Sequence, residues 1–293
     1  MQKDKKRKER ILILRCDLHS HSIHSDGSAT PAELIAMAKE QGLIIALTDH
    51  NTVSGLPDFL REAEKSGVVG VGGTELSCTY AEREFHLLGL FISPEHYESI
   101  EALVSKFHIL KQKSVVDLIE RLNAAGYKVD YEKVCQRTLN GNVNRAHIAT
   151  ELLEGGYVSS VSEAFDTLLS KNYGFYVEPE RLELIDAIRF LRSIKALPIL
   201  AHPLKDISAE QLCEMLPRLI EAGLVGIETM HSSYSDEDIA LSKEIADRYS
   251  LLQSGGSDYH GIAKPDVSLG IGKGNLNVQD TVYYDLLRAS ESL

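Results

Sequence analysis

Short apolar runs alternate with amphipathic stretches at both ends of the chain, whereas the middle carries almost only the amphipathic kind. ILILRC (11–16), LIIAL (43–47) and VVGVGG (68–73) read as strands. LPILA (197–201), VGIE (225–228) and LLQSG (251–255) repeat that reading nearer the C-terminus. Between them lie helical patterns at 56–66, 185–195, 209–222 and 236–249. A further helix runs from Thr30, an N-cap, and Pro31, pre-set for the first turn, to residue 41, where Gly42 stops it. Strand and helix in alternation predict an α/β fold with a largely parallel sheet, open or closed into a barrel. Residues 94–179 show several helical patterns, with turns at Gly126, Gly141 and Gly155-Gly156, and read as a helical insertion.

Composition narrows this only a little. The chain has 293 residues, 43% hydrophobic and 25% charged, with no apolar run long enough to span a membrane. MQKDKKRKER reads as a solvated basic tail, with at most a weak hold on nucleic acid, and ILIL after it is too short for a secretion signal. A net charge of −12, with no basic or aromatic strip, argues against long duplex nucleic acid as a stable partner. Cys16, Cys78, Cys135 and Cys213 are scattered, which suits reduced thiols and a cytoplasmic location. Cys16 is expected to be a buried strand residue and not a ligand.

The chemistry sits at the ends of the apolar runs. DLHSHSIHSDGS carries His19, His21 and Asp26; LTDH carries Asp49 and His50; GTELS carries Glu75; REFHLLG carries His86. ILAHP then supplies His202, and GGSDYHG supplies Asp258 and His260. Active sites of parallel β/α folds gather at the carboxyl ends of their strands, so distant segments can meet there. His19 and His21, two apart, share a face of an extended strand, and Asp258 and His260 repeat the spacing. Asp49 and His50 point opposite ways; His50 is taken as the ligand and Asp49 as its support, with a catalytic role open to it. His86 departs from the rule because it precedes its apolar run, LLGLF; either that strand is antiparallel or the residue enters from another side. Imidazole and carboxylate without thiolate suit Mn²⁺, Zn²⁺ or Fe²⁺ in a hydrolytic site. Single histidines are more often packed core or surface residues, as His96 and His108 are read here, while His24 is read either as a solvent-facing loop residue or as a support to the ligands; number and spacing separate the others from that background.

Taken together, these motifs resemble the polymerase-and-histidinol-phosphatase (PHP) family of metal-dependent phosphoesterases, and most closely its nucleotide phosphatases and 5′-to-3′ exonucleases. The likeness extends over residues 15–272 and includes NRAHIATELLEGGYVSSVSEAFDTLL of the insertion. It implies a distorted seven-stranded β/α barrel formed by 11–94 and 180–293, a helical substrate cap over 95–179, and a tail over 1–10. It also implies two or three divalent metals, Mn²⁺ foremost. Carried over by motif, His19, His21, Glu75 and Asp258 would hold one; Asp26, His50 and His202 a second; Glu75, His86 and His260 a third. Some relatives have histidine at the place of Asp26, and close relatives often read Arg-Pro-His where this chain has Arg145-Ala146-His147.

The expected reaction is hydrolysis of nucleotide phosphate monoesters by a metal-bridging hydroxide. Arg145, His147 and Lys205 would contact the phosphate, and His147 or His231 would protonate the leaving group. Trimming of short 5′-phosphorylated RNA or DNA is the alternative. C–N hydrolysis is disfavoured by the lack of a carbamylated-lysine candidate, and a non-catalytic module by the complete ligand set.

Overall fold

The computed structural model describes residues 15–137, 143 and 145–293. The basic tail, ILIL of the first expected strand, and the turn at Gly141 lie outside the described residues. Near the N-terminus β1 (Arg15–Asp17), α1 (Pro31–Gln41), β2 (Leu43–Leu47) and α2 (Leu56–Ser66) lead into the hairpin β3 (Gly70–Tyr80) and β4 (Arg83–Leu90). The helices α3 (Tyr97–Ala124), α4 (Tyr131–Gln136), α5 (Arg145–Glu154) and α6 (Val161–Asp166) follow. The chain then alternates again through β5 (Leu182–Glu183), α7 (Leu184–Ser193), β6 (Leu197–Leu200), α8 (Ala209–Ala222) and β7 (Gly226–His231). It ends with α9 (Asp236–Arg248), β8 (Leu252–Gly256) and α10 (Asp280–Glu291).

Thr30 caps α1 as its sequence suggests: its side chain accepts from the Glu33 N–H while Glu33 reaches back to the Thr30 N–H, and Gly42 closes the helix at φ 63°. The main sheet runs β1-β2-β3-β4-β6-β7-β8, with the short β5 paired to β3. Neighbours are parallel except at β4, which is antiparallel to both β3 and β6. Near-closure into a seven-stranded barrel comes where β1 meets the end of β8: the Leu18 N–H donates to the Gly255 carbonyl at 3.0 Å, and the Asp258 N–H to the His19 carbonyl at 2.9 Å. That approach requires Gly256, since a Cβ there would lie 2.4 Å from the His19 nitrogen. Inside, Leu18, Ile44, Ala46, Leu88, Leu197 and Ile199 are among the apolar side chains that pack together.

The run VVGVGG predicts a strand that ends at residue 73, with Glu75 just beyond it. Instead β3 continues to Tyr80 and turns directly into β4. The two-residue turn, Ala81-Glu82, has φ 48° and 63°, the backbone a tight hairpin needs. Neither residue is glycine, asparagine or aspartate, so the usual composition signal of such a turn is missing.

The chain divides into two compact units, 1–101 with 182–293, and 102–181. The second has its own apolar core, in which Leu118, Leu122, Val134, Ile148, Leu152 and Leu169 are buried.

Candidate metal centre

The hairpin also explains His86. Because β4 runs against its neighbours, its beginning lies where the parallel strands end. His86 therefore belongs at that end although it precedes LLGLF. Opposite it in register stands Ser77, and Glu75 is its diagonal neighbour, with His86 Nδ1 at 2.8 Å from Glu75 Oε1.

Glu75 is the hub of the cluster and is fully buried. Its Oε2 faces His19 Nε2 and His21 Nε2 at 3.2 Å each and His50 Nδ1 at 3.1 Å. Its Oε1 faces His86, and His202 Nε2 at 3.2 Å. The Asp258 Oδ1 atom lies 3.3 Å from His21 Nε2 and 3.7 Å from His19 Nε2. On the outer side Asp26 meets His260 Nε2 at 3.2 Å and His50 Nε2 at 3.8 Å.

These contacts sort into sets whose ligand atoms lie within 4.8 Å of one another: His19, His21, Glu75 and Asp258; His21, Asp26, His50 and His260; and His50, Glu75 and His86. The first is the set expected by resemblance. In the others, His260 joins Asp26 and His50, where the resemblance put His202, while His202 belongs to none of these sets and lies beside Glu75 Oε1 at 3.2 Å. β4 and β6 pair with Leu87 opposite Leu200, and the Ala201 N–H donates to the His86 carbonyl at 3.0 Å, which carries His202 to His86 and Glu75. His260 is latched to the first loop instead, its carbonyl accepting from the Ser28 N–H at 3.1 Å, and so it reaches Asp26.

Divalent cations fit this donor set. His19 Nε2, both ring nitrogens of His21, His50 Nδ1 and Glu75 Oε2 are buried without a hydrogen-bond partner among the described residues. Such atoms ordinarily cost about 1–3 kcal/mol each, and ligation removes that penalty. Tautomers are set from outside the cluster. His260 Nδ1 donates to the Asp258 carbonyl at 2.8 Å, leaving Nε2 toward Asp26. His19 Nδ1 lies 3.0 Å from Glu228 Oε1, leaving Nε2 toward Glu75 and Asp258.

Three polar residues that matter here were not singled out from sequence. Glu228, fully buried in β7, holds His19 and also accepts from the His202 N–H at 2.8 Å. Asp17, buried at the end of β1, accepts from the Ser257 N–H and hydroxyl and from the Gly270 N–H, fixing the β8 loop. Both acids end or interrupt an apolar run, the one signal that could have found them. The third, Lys264, places Nζ 2.6 Å from Asp258 Oδ2.

The other candidate residues have partners of their own or lie apart from the cluster. Asp49 is buried with its oxygens turned to the Ser22 N–H and hydroxyl and to the Ser25 hydroxyl, at 2.6–2.7 Å. It braces the loop that bears His21 and Asp26. His231 is buried as well; Nδ1 accepts from the Ser233 N–H and Nε2 faces Asp258 Oδ2 at 3.4 Å. Lys205 is exposed on the turn after His202. In the helical unit, Arg145 donates to the Leu169 carbonyl at 3.1 Å and lies 4.2 Å over the Tyr176 ring, contacts that a phosphate grip would have to compete with. His147, two residues along α5, is partly exposed.

Protonation follows the same geometry. Burial opposes charge on His86, but the Glu75 carboxylate overrides it and pushes the pKa up to about 10. Burial pulls His50 down to about 3, the neighbouring His21 adding to the effect and Glu75 opposing it. Burial would raise Asp26, yet His260 and His50 hold it below the usual carboxylate range. In the metal-free protein the raised His86 therefore contributes stability that is complete below its unfolded pKa of about 6.5 and is lost as pH rises through about 10. Metal must displace that proton. Affinity for Mn²⁺ is expected to rise between about pH 6 and pH 9, with about one proton released per ion bound beside Glu75. Calorimetry in buffers of different ionisation enthalpy reads this directly; pH-independent binding without proton release would show His86 to be neutral.

Residues 17–181 match the PHP domain. A phosphoribosyl 1,2-cyclic phosphate 1,2-diphosphodiesterase from Eggerthella lenta is 34% identical over 250 residues, 84% of this chain and 94% of that protein. A 5′-3′ exoribonuclease from Haemophilus influenzae is 29% identical, covering 91% of this chain and 96% of that one. For a 3′,5′-nucleoside bisphosphate phosphatase from Chromobacterium violaceum the figures are 29%, 83% and 86%. Two solved structures, a Bifidobacterium adolescentis protein classed as a metal-dependent phosphoesterase and a Chromobacterium violaceum protein described as an amidohydrolase with bound sulfate, align with TM-scores of 0.70 and 0.73. Each is 26% identical and covers 94% of this chain and 96% of its own. By domain, full-length relatives and fold, the chain belongs to the PHP family of metal-dependent phosphoesterases.

Proposed function

We propose that the chain hydrolyses phosphate monoesters of nucleotides, either 3′,5′-nucleoside bisphosphates or nucleoside monophosphates, with Mn²⁺ as the favoured metal. The observation that carries this reading is the convergence of five imidazoles on the two oxygens of Glu75. His19, His21, Glu75 and Asp258 would hold one ion, Asp26, His50 and His260 another, and Glu75, His86 and His202 a third. Bound ions supply a hydroxide nucleophile at neutral pH and neutralise phosphoryl oxygens. The protein's own part is orientation. Glu228 and the Asp258 carbonyl fix which nitrogen of His19 and His260 faces inward, and Asp49 and Asp17 brace the loops that carry the ligands. Mixed imidazole and carboxylate donors leave Mn²⁺, Zn²⁺ and Fe²⁺ in competition, and the predominance of imidazole keeps Zn²⁺ and Fe²⁺ in the test.

A second reading, 5′-to-3′ removal of nucleotides from short 5′-phosphorylated RNA, is favoured by the end-to-end similarity to the Haemophilus exoribonuclease. Initial rates on nucleoside bisphosphates, monophosphates and 5′-phosphorylated oligonucleotides, each with Mn²⁺, Zn²⁺ or Fe²⁺ and after chelation, separate the two. Phosphate release from nucleotides that stops on chelation and returns with Mn²⁺ is expected. Nucleotide release from oligonucleotides without monoester hydrolysis would favour the exonuclease. Turnover that survives complete metal removal would sink both.

A further inference from the structure

We propose that Lys264 is a substrate-contacting residue of this site, its ammonium binding a non-bridging oxygen of the phosphate group. The inference deepens the phosphoesterase reading and rests on it for the identity of the substrate, though not for the anion bound.

The two oxygens of Asp258 face different ways. Oδ1 points into the ligand cluster, 3.3 Å from both His21 Nε2 and His260 Nδ1. Oδ2 points away from that set, toward Lys264 Nζ at 2.6 Å and His231 Nε2 at 3.4 Å. A cation held through Oδ1 therefore does not compete with the lysine for the same atom. The lysine is also not the carboxylate's sole partner, because four imidazoles lie around it.

Lys264 differs from those imidazoles in exposure. Its side chain is 36% accessible, while those of His19, His21 and His231 are at 0–2%. Asp26 is likewise open, at 55%, so the rim of the cluster carries a carboxylate and an ammonium. An ammonium has three donors. One is used by Asp258, and the others, without a partner among the described residues, can turn toward an anion that approaches the cluster from solvent.

The loop is built to hold the lysine in place. The Lys264 N–H donates to the Gly261 carbonyl, and its own carbonyl accepts from the Val267 N–H, both at 3.0 Å. Ser28 latches the loop to the one that carries Asp26, its hydroxyl accepting from the Ile262 N–H at 2.8 Å. The latch depends on Gly261, at φ 64°, where a Cβ would come within 2.1 Å of the Ser28 oxygen. Backbone and partner are thus set before any ligand arrives, which lowers the entropy cost of using the side chain as a phosphate contact. Lysine suits the task as a compact point charge, with no need for the planar fork of arginine.

The test uses the metal-loaded full chain and two variants, Lys264→Met and Lys264→Arg. Bound metal is counted by elemental analysis, binding of inorganic phosphate is measured by calorimetry, and KM and kcat are measured on a nucleoside monophosphate. For Lys264→Met, metal content is expected to stay at the parent value while phosphate affinity falls about tenfold and KM rises by a similar factor. Lys264→Arg, which keeps the charge, should recover most of the affinity. Unchanged phosphate binding with metal retained would overturn the proposal, and so would loss of bound metal, which would make the lysine only a brace for Asp258. Because phosphate binding is read directly, the result stands even if nucleotides prove not to be substrates.

Discussion

Asp258→Ala is expected to lower kcat by at least about a thousandfold and to leave the protein with less bound metal than the parent. Asp258 touches four imidazoles and one ammonium, and its carbonyl sets the tautomer of His260. Removing its side chain deletes an anionic ligand while leaving that carbonyl in place, so the loss falls on charge and coordination and spares loop geometry. The residue sits at φ 56°, a region costly for a side chain other than glycine. Alanine inherits that strain, and thermal unfolding of the metal-free variant should be recorded beside the kinetics to separate misfolding from lost chemistry. His21→Ala is the companion, since His21 belongs to two of the ligand sets. A folded Asp258→Ala protein with full metal content and kcat within about tenfold of the parent would remove the residue from the ligand set.

The second large effect is expected at Glu228, which touches no metal in this scheme. Its two oxygens hold His19 through Nδ1 and His202 through the backbone N–H, at 3.0 and 2.8 Å. His202 lies at φ 30°, so the N–H bond helps to retain a strained backbone at a ligand. Gln at this position keeps the volume but offers one acceptor and one amide donor, and one of the two partners must then face a donor. Metal affinity is expected to fall about 10–100-fold, the range typical of carboxylates that orient ligand histidines. Ala in place of Glu228 should in addition cost about 3–5 kcal/mol of stability, because it strands buried partners of a charge. Competition against a metal-binding dye and urea unfolding check these values. Glu228→Gln with unchanged metal affinity would show that the packing around His19 alone sets its orientation.

Much of the site was legible in one dimension because its ligands obey a local rule. His19, His50 and Asp258 each follow an apolar strand within a few residues, and the rule needs no knowledge of which strands are neighbours. The α1 cap was equally plain, since Thr30, Pro31, Glu33 and Gly42 are all local signals. Residues that act through a partner far away in the chain escaped. Glu228 and Asp17 read as ordinary strand-end acids until His19 and Ser257, each more than two hundred positions from its acid, are brought against them. Asp49 looked as capable of chemistry as His50 beside it; only the direction of its oxygens, toward Ser22 and Ser25, sets it apart.

By itself the sequence determined the class of chemistry, since the identities of the donor side chains and the alternation of strands with helices are properties of the chain. The grouping of donors was decided by tertiary structure. His202 stands with His86 because β4 is reversed and registers against β6, and His260 stands with Asp26 because Ser28 ties two loops together. Spacing along a chain predicts which face a residue takes on its own strand, whereas strand order, register and the antiparallel turn at Ala81-Glu82 choose its neighbours. Those are set by burial and hydrogen bonding between segments distant in sequence, which no local pattern encodes.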